Sequence, residues 1–154
     1  MRNMDGLNAA LRALPKEMSA SLRDESQAIA GVIAGQARGL GMSKGGVTAK
    51  VAMTTKARRD RVPVIAIGGS KRLRKGSAQQ NLGELTFGAE FGGGAFGARN
   101  PRPVTGGRTV QFAPHLGTTG YFLWPTIRAR LSWAMDAWGE AIYEGALAAS
   151  GRGR

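Results

Sequence analysis

The sequence has no cysteine and a single histidine, His115, in 154 residues. No disulfide can brace the fold and no thiolate can serve as nucleophile or metal ligand, a composition that suits assembly inside a cell. Acidic residues are also few: 10 Asp and Glu stand against 22 Lys and Arg, for a net charge of +12. That imbalance favours an anionic partner, whether DNA, RNA, a membrane surface or an acidic protein. Long apolar runs are missing, and none approaches the ~18 residues that cross a bilayer. The first residues include Asp5 and lack the apolar block of a secretory signal. A soluble chain, not exported by the usual signal and without a membrane partner, is the expectation. Aromatic residues number ten, and none lies between residues 44 and 75.

What is abundant is glycine, 24 residues or about twice the usual ~7% share. Most lie between residues 35 and 120, so that part should be rich in turns and loops. The length suits one domain over 1–150, with a basic tail at 151–154.

Apolar residues recur at helical spacing from Leu7 through Leu11, Leu14, Met18 and Leu22, and resume at Ile29, Val32 and Ile33. This predicts a helix over 3–38, weakened at Glu25 and Ser26. Pro15 either kinks that helix or starts a second one, and Gly39 and Gly41 read as its stop. Val47 to Thr55 alternates with period two and predicts a strand. KARRDR reads as a charged turn, and VPVIAIGG as a second strand completing an antiparallel hairpin. LGELTFGAEF suits a short helix or an extended segment. GGGAFGARNPRPVTGG reads as a loop, and Arg108 to Phe112 as a candidate third strand. Pro125 suits the first residue of a terminal helix whose apolar face runs through Ile127, Leu131, Met135, Trp138 and Ile142, with Trp133 off that face.

Chemistry has little to work with. Metal centres draw on several His, Cys or carboxylate ligands, yet the carboxylates nearest His115 in sequence are Glu90 and Asp136. No GxSxG elbow is present. A turn or interface role for His115 is the simpler reading. Glu84 and Glu90, six residues apart, could in principle be paired carboxylates, but nothing else supports glycoside or phosphoryl chemistry. IAIGGSK places glycines and Lys71 after a strand but matches neither phosphate-loop pattern, so a turn is expected there. No enzyme activity, cofactor, metal or small-molecule substrate is expected.

The basic middle is a stronger signal. Lys56, Arg58, Arg59 and Arg61 lie at one end of the second predicted strand, and Lys71, Arg72, Arg74 and Lys75 at the other. They form either a solvated charged loop or an electrostatic contact with phosphates or an acidic neighbour. Without interleaved aromatics, reading of single-stranded bases is disfavoured.

Two further motifs point elsewhere. Phe87 to Gly92 reads FGAEFG, and after the glycine-rich loop come Phe112, His115 and then Tyr121-Phe122-Leu123-Trp124-Pro125 leading into the last helix. With the long N-terminal helix and the hairpin, this order resembles the small neck or tail-completion proteins of long-tailed bacteriophages. In that family a Glu-Phe-Gly element precedes a hydrophobic segment that ends in Pro. Glu90, Phe91 and Gly92 match the first element. Phe122, Leu123, Trp124 and Pro125 match the second, with Arg128 in the first helical turn. The long glycine loop departs from compact members of the family.

The resemblance implies a non-enzymatic virion protein, assembled in the host cytoplasm and placed at the head–tail junction or tail top. It implies a homo-oligomeric, six-fold ring around the DNA channel that contacts neighbouring neck and tail proteins. The basic residues would then meet double-stranded DNA non-specifically, and Glu90, Phe91, Phe112, His115, Tyr121, Phe122, Trp124, Pro125 and Arg128 would serve assembly. A tail terminator is the alternative within this class, and a small basic nucleic-acid-binding protein the alternative outside it. The expected fold class is α+β: long N- and C-terminal helices on a small antiparallel sheet, with long glycine-rich loops.

Overall fold

The computed structural model describes residues 15–73, 81–92, 112–113 and 115–151. Its elements run α1 (Lys16–Ser43), α2 (Gly46–Ala52), β1 (Lys56–Arg58), β2 (Val64–Ala66), α3 (Thr86–Phe91) and α4 (Leu123–Gly151). The two strands pair in an antiparallel sheet, and long helices at either end of the chain complete an α+β fold. Length alone suggests one domain; within it the residues group into two compact units. One holds Met1–Val32, Ala57–Ile65 and Arg130–Arg154, the other Ile33–Lys56 and Ala66–Ala129.

Helix α1 begins directly after Pro15, whose carbonyl accepts the amide of Ser19 at 2.8 Å. Proline suits this place because the first amides of a helix have no partner within it. The stretch 3–14 lies outside the described residues. In the first unit α1 buries Ser19, Leu22, Ser26, Ile29 and Ala30. Glu25 and Ser26 do not weaken this seam. Ser26 is fully buried and donates its hydroxyl to the Arg61 carbonyl at 3.0 Å, so a polar residue on the apolar stripe is satisfied. Trp138 of α4 donates its indole N–H to the same carbonyl, also at 3.0 Å. Both helices of this unit are thereby tied to the segment between the strands.

The expected helix stop at Gly39 and Gly41 is wrong: α1 runs on to Ser43. Gly41 serves close packing instead. A Cβ there would collide with the Ala52 methyl and stand 3.0 Å from the Phe122 ring. The chain turns only at Gly45 and Gly46, where φ is +72° and +57°, a backbone region that glycine enters without strain.

The strand expected over Val47–Thr55 is also wrong. Most of that stretch is helix α2, and it buries Thr48, Val51 and Ala52, which lie three and four residues apart. The alternation of Val47, Ala49, Val51 and Met53 was compatible with a strand, but the face that packs follows the helical period, and Met53 is exposed. Strand β1 starts later, inside the stretch read as a charged turn, and only three residues of it pair.

The second unit has one contiguous core. Ala37, Val51, Ala52, Leu82, Leu85, Ala89 and Phe122 are buried together, with Val47, Ile67, Phe112 and Tyr121 packed against them. Phe122 is 0% exposed and is the largest fully buried side chain among the described residues. LGELTFGAEF resolves into a turn followed by α3. Asn81 and Glu84 cap that turn reciprocally: the Glu84 amide donates to the Asn81 side-chain oxygen at 3.0 Å, and the Asn81 amide group donates back to the Glu84 carboxylate at 2.8 Å.

Helix α4 starts at Leu123, so Pro125 is its third residue rather than its first. Its expected apolar face is corrected in part. Ala134 is buried and Trp138 half-buried, but Leu131 and Met135 are exposed. Ala134, Ala137, Ala141 and Gly145 share the covered side with half-buried Trp138 and Ile142, and in the first unit a Cβ at Gly145 would stand 3.2 Å from Met18. Close approach at Gly145 leaves no room for a larger side chain, while Leu131 and Met135 fall outside the covered arc. The candidate third strand falls mostly outside the described residues, and Phe112 itself is irregular.

Candidate functional site

The two motif elements, thirty residues apart in sequence, meet at Glu90. Its side chain is 3% exposed. Carboxylate oxygen Oε1 accepts the backbone amide of Trp124 at 2.7 Å, and Oε2 accepts those of Leu123 at 2.9 Å and Phe122 at 3.4 Å. These amides open α4 and have no acceptor inside the helix. A carboxylate placed there satisfies them and opposes the positive end of the helix dipole. The Glu90 carbonyl also accepts the Tyr121 amide at 2.7 Å. One residue of α3 thus holds four consecutive amides, 121 to 124.

The neighbours of Glu90 in its motif have distinct tasks. Gly92 has φ +82° and ends α3, its amide reaching back to the Gly88 carbonyl at 3.0 Å. Gly120, with φ +76°, leaves the space that the Glu90 carboxylate occupies, and a Cβ there would overlap Oε1. Phe91 is half-buried and stacks on Phe87 with ring centroids 6.2 Å apart. Its carbonyl accepts the Leu116 amide at 3.0 Å.

Beside this joint lies an apolar groove of about 550 Å³, lined by Phe87, Gly88, Phe91, Phe112, His115 and Thr118. Phe112 lies against Gly88 so closely that a Cβ there would fall 2.6 Å from its ring. His115 is exposed at the groove, and Phe87 is 77% exposed. Trp124 is partly exposed and carries the Arg128 guanidinium 5.3 Å above its ring. Arg128 also donates to the Thr118 carbonyl at 3.2 Å, which brings a cation to the groove's rim. Tyr121 has Lys44 6.0 Å from its ring centre, and Pro125 is half-buried. Eight of the nine assembly candidates therefore form or adjoin one joint: Glu90, Phe91, Phe112, His115, Tyr121, Phe122, Trp124 and Arg128. Phe87 and Gly88 belong to the FGAEFG motif but not to the assembly candidates, and sequence reading missed Gly120, whose positive φ has no signature beyond the residue type.

The basic candidates separate into different roles. Lys56 and Arg58 flank half-buried Ala57 on β1 and are exposed; Lys71 and Arg72 are exposed as well. Arg59 donates to the Asp24 carboxylate at 2.5 Å, and Arg61 to the Ser19 hydroxyl at 3.1 Å, so both brace α1. The hydrogen bond from Arg59, reinforced by its charge, holds the Asp24 carboxyl below the usual carboxylate range. Arg74 and Lys75 lie outside the described residues. Gly68 and Gly69 take φ of +81° and +94° in an irregular segment rather than the expected turn, and the Gly68 amide is taken by the Thr54 hydroxyl at 2.6 Å rather than offered to a phosphate.

Glu84 and Glu90 are each engaged separately, one bonded to Asn81 and the other capping α4. Among the described residues no three His, Cys, Asp or Glu side chains gather to hold a metal ion, and no helix is long and apolar enough to cross a membrane. No protein-family model matches the sequence, and neither a curated protein nor a solved structure matches the chain.

Proposed function

We propose that this chain is a structural component of a bacteriophage neck or tail top, a completion protein that joins neighbouring rings around the DNA channel. The observation that carries the reading is the bond between Glu90 and the amides of Phe122, Leu123 and Trp124. The Glu-Phe-Gly element and the hydrophobic-Pro element on which the family resemblance rests are halves of one joint. Around that joint the aromatic side chains of Phe87 and Trp124 remain open to a neighbour. The exposed Lys56, Arg58, Lys71 and Arg72 suit sliding contact with duplex phosphates, which needs charge and no base readout.

Deleting the gene from a phage that carries it is expected to leave heads and tails unjoined, with the protein found by mass spectrometry in wild-type particles. Intact, infectious particles without it, or its absence from purified wild-type particles, would end this reading. A free nucleic-acid-binding protein would instead bind duplex DNA tightly as an isolated subunit, with an affinity falling steeply with salt.

A further inference from the structure

Helix α4 carries two surfaces of opposite character. Its covered side carries Ala134, Ala137, Trp138, Ala141, Ile142 and Gly145, whereas Trp133, Asp136, Glu140, Tyr143, Glu144 and Leu147 all face outward. Trp133 is 39% exposed and Tyr143 65% exposed. Spacings of three and four residues put these side chains on one side of the helix. Asp136, Glu140 and Glu144 have no hydrogen-bond or ion-pair partner for their carboxylates among the described residues. From Leu131 to Gly151 the helix holds these three acids and no Lys or Arg. On a chain of net charge +12, an acidic and aromatic face is an isolated feature.

The groove beside the Glu90 joint has the complementary character. Its walls are apolar, with Phe87, Phe91 and Phe112 prominent, and its rim carries Arg128, which takes no carboxylate among the described residues. The unit to which it belongs is strongly basic, with seven Lys and Arg among its described residues against Glu84 and Glu90. Both of those acids are already engaged by capping.

We infer that the outer face of α4 in one copy docks in the Phe87–Phe91–Phe112 groove of the next copy. The occupant is a second copy of this chain, because charge and apolar surface match in pairs: aromatic stripe to aromatic groove, and Asp136, Glu140 and Glu144 to the Arg128 rim and the basic unit around it. An amphipathic helix in an apolar groove is a recurrent mode of recognition. The two patches differ, so the contact is head-to-tail, and such a contact propagates into a ring where its rotation closes. This inference rests on the ring reading proposed above and assigns its interface.

Sedimentation velocity on the full chain tests it. The wild type is expected to assemble in a salt-sensitive manner. Phe87→Asp on the groove, and Glu140→Lys combined with Tyr143→Lys on the helix, are each expected to yield monomers. All three positions are exposed, so melting temperatures should stay near that of the wild type. Mixing the two variants should then give a dimer and nothing larger, because each retains one intact patch. Arg128→Glu should weaken assembly, and adding Glu140→Arg should restore it. If the wild type assembles and the groove and helix variants assemble equally well, the interface lies elsewhere and the ring reading survives without this contact. A mixture of the two monomeric variants that forms no dimer overturns the head-to-tail pairing. A wild type that stays monomeric at its highest soluble concentration removes both this contact and self-assembly of the free subunit.

Discussion

The Glu90 carboxylate accepts the Trp124 amide at 2.7 Å across 34 residues of chain. It is a helix cap supplied from a distance, whereas most caps come from the residue just before the helix. Its removal leaves the amides of Phe122, Leu123 and Trp124 without an acceptor in a largely buried place. Glu90→Ala should therefore cost about 2–3 kcal/mol, the penalty of orphaned buried donors. Glu90→Gln should cost less, since the amide oxygen keeps one acceptor while its NH2 faces other donors. Urea unfolding of the three proteins checks the order. Equal stabilities would mean that water replaces the carboxylate freely.

Gly120 and Glu90 should behave as one unit. Alanine at position 120 meets three costs: φ of +76° disfavours a Cβ, that Cβ overlaps the Glu90 carboxylate, and it stands 2.9 Å from the Trp124 Cβ. Gly120→Ala is expected to destabilise by about 2 kcal/mol or more, of which roughly 1 kcal/mol is backbone strain. In the Glu90→Ala background the overlap with the carboxylate disappears, while the strain and the 2.9 Å approach to the Trp124 Cβ remain. The double-mutant cycle should thus show a coupling of about 1 kcal/mol, readable by thermal or urea melts. Additive effects would argue against contact between the two positions.

This joint also marks the limit of what the sequence discloses. Glu90, Phe91, Phe122 and Trp124 could be singled out as two motifs, and α+β architecture followed from long helical patterns flanking a short extended region. That Glu90 reaches the second motif could not be read, because the cap is tertiary and nothing local encodes it. The misread period at Val47–Thr55 has a physical cause. In Val47–Thr55 the alternation held on paper, but Thr48 is buried through its hydroxyl, which points toward the Ala89 carbonyl at 3.4 Å. A polar residue on a packed face hides the helical period from hydrophobicity alone. Gly41 misled for the opposite reason: a glycine needed for close helix packing looks the same in sequence as one that ends a helix.

Thr55 offers a gain in stability. Its side chain is fully buried and its hydroxyl has no hydrogen-bond partner, although its carbonyl is taken by Arg38. A buried hydroxyl left unpaired costs about 1–3 kcal/mol. Thr55→Val retains the shape and removes the unpaired group. The midpoint of thermal unfolding should rise or stay level, with a gain of about 1 kcal/mol expected. A clear loss of stability would show that the hydroxyl has a partner, such as an ordered water.

The Asp24–Arg59 pair should give stability a small acid dependence. Its atoms are exposed, so the pair is screened by solvent and salt. The folded-state pKa of Asp24 is lowered, first by the hydrogen bond from Arg59 and then by its charge. A lowered folded pKa means that the unfolded chain binds the proton more readily. The contribution is therefore fully present above the unfolded carboxylate value of about 3.9 and is lost as pH falls through the lower, folded value. The stability difference between wild type and Asp24→Asn should be small and constant near neutral pH, then shrink toward zero in that acid window. Raising salt at neutral pH should also shrink it. A difference that grows on acidification would require Asp24 to be protonated in the fold, against the geometry of its bond to Arg59.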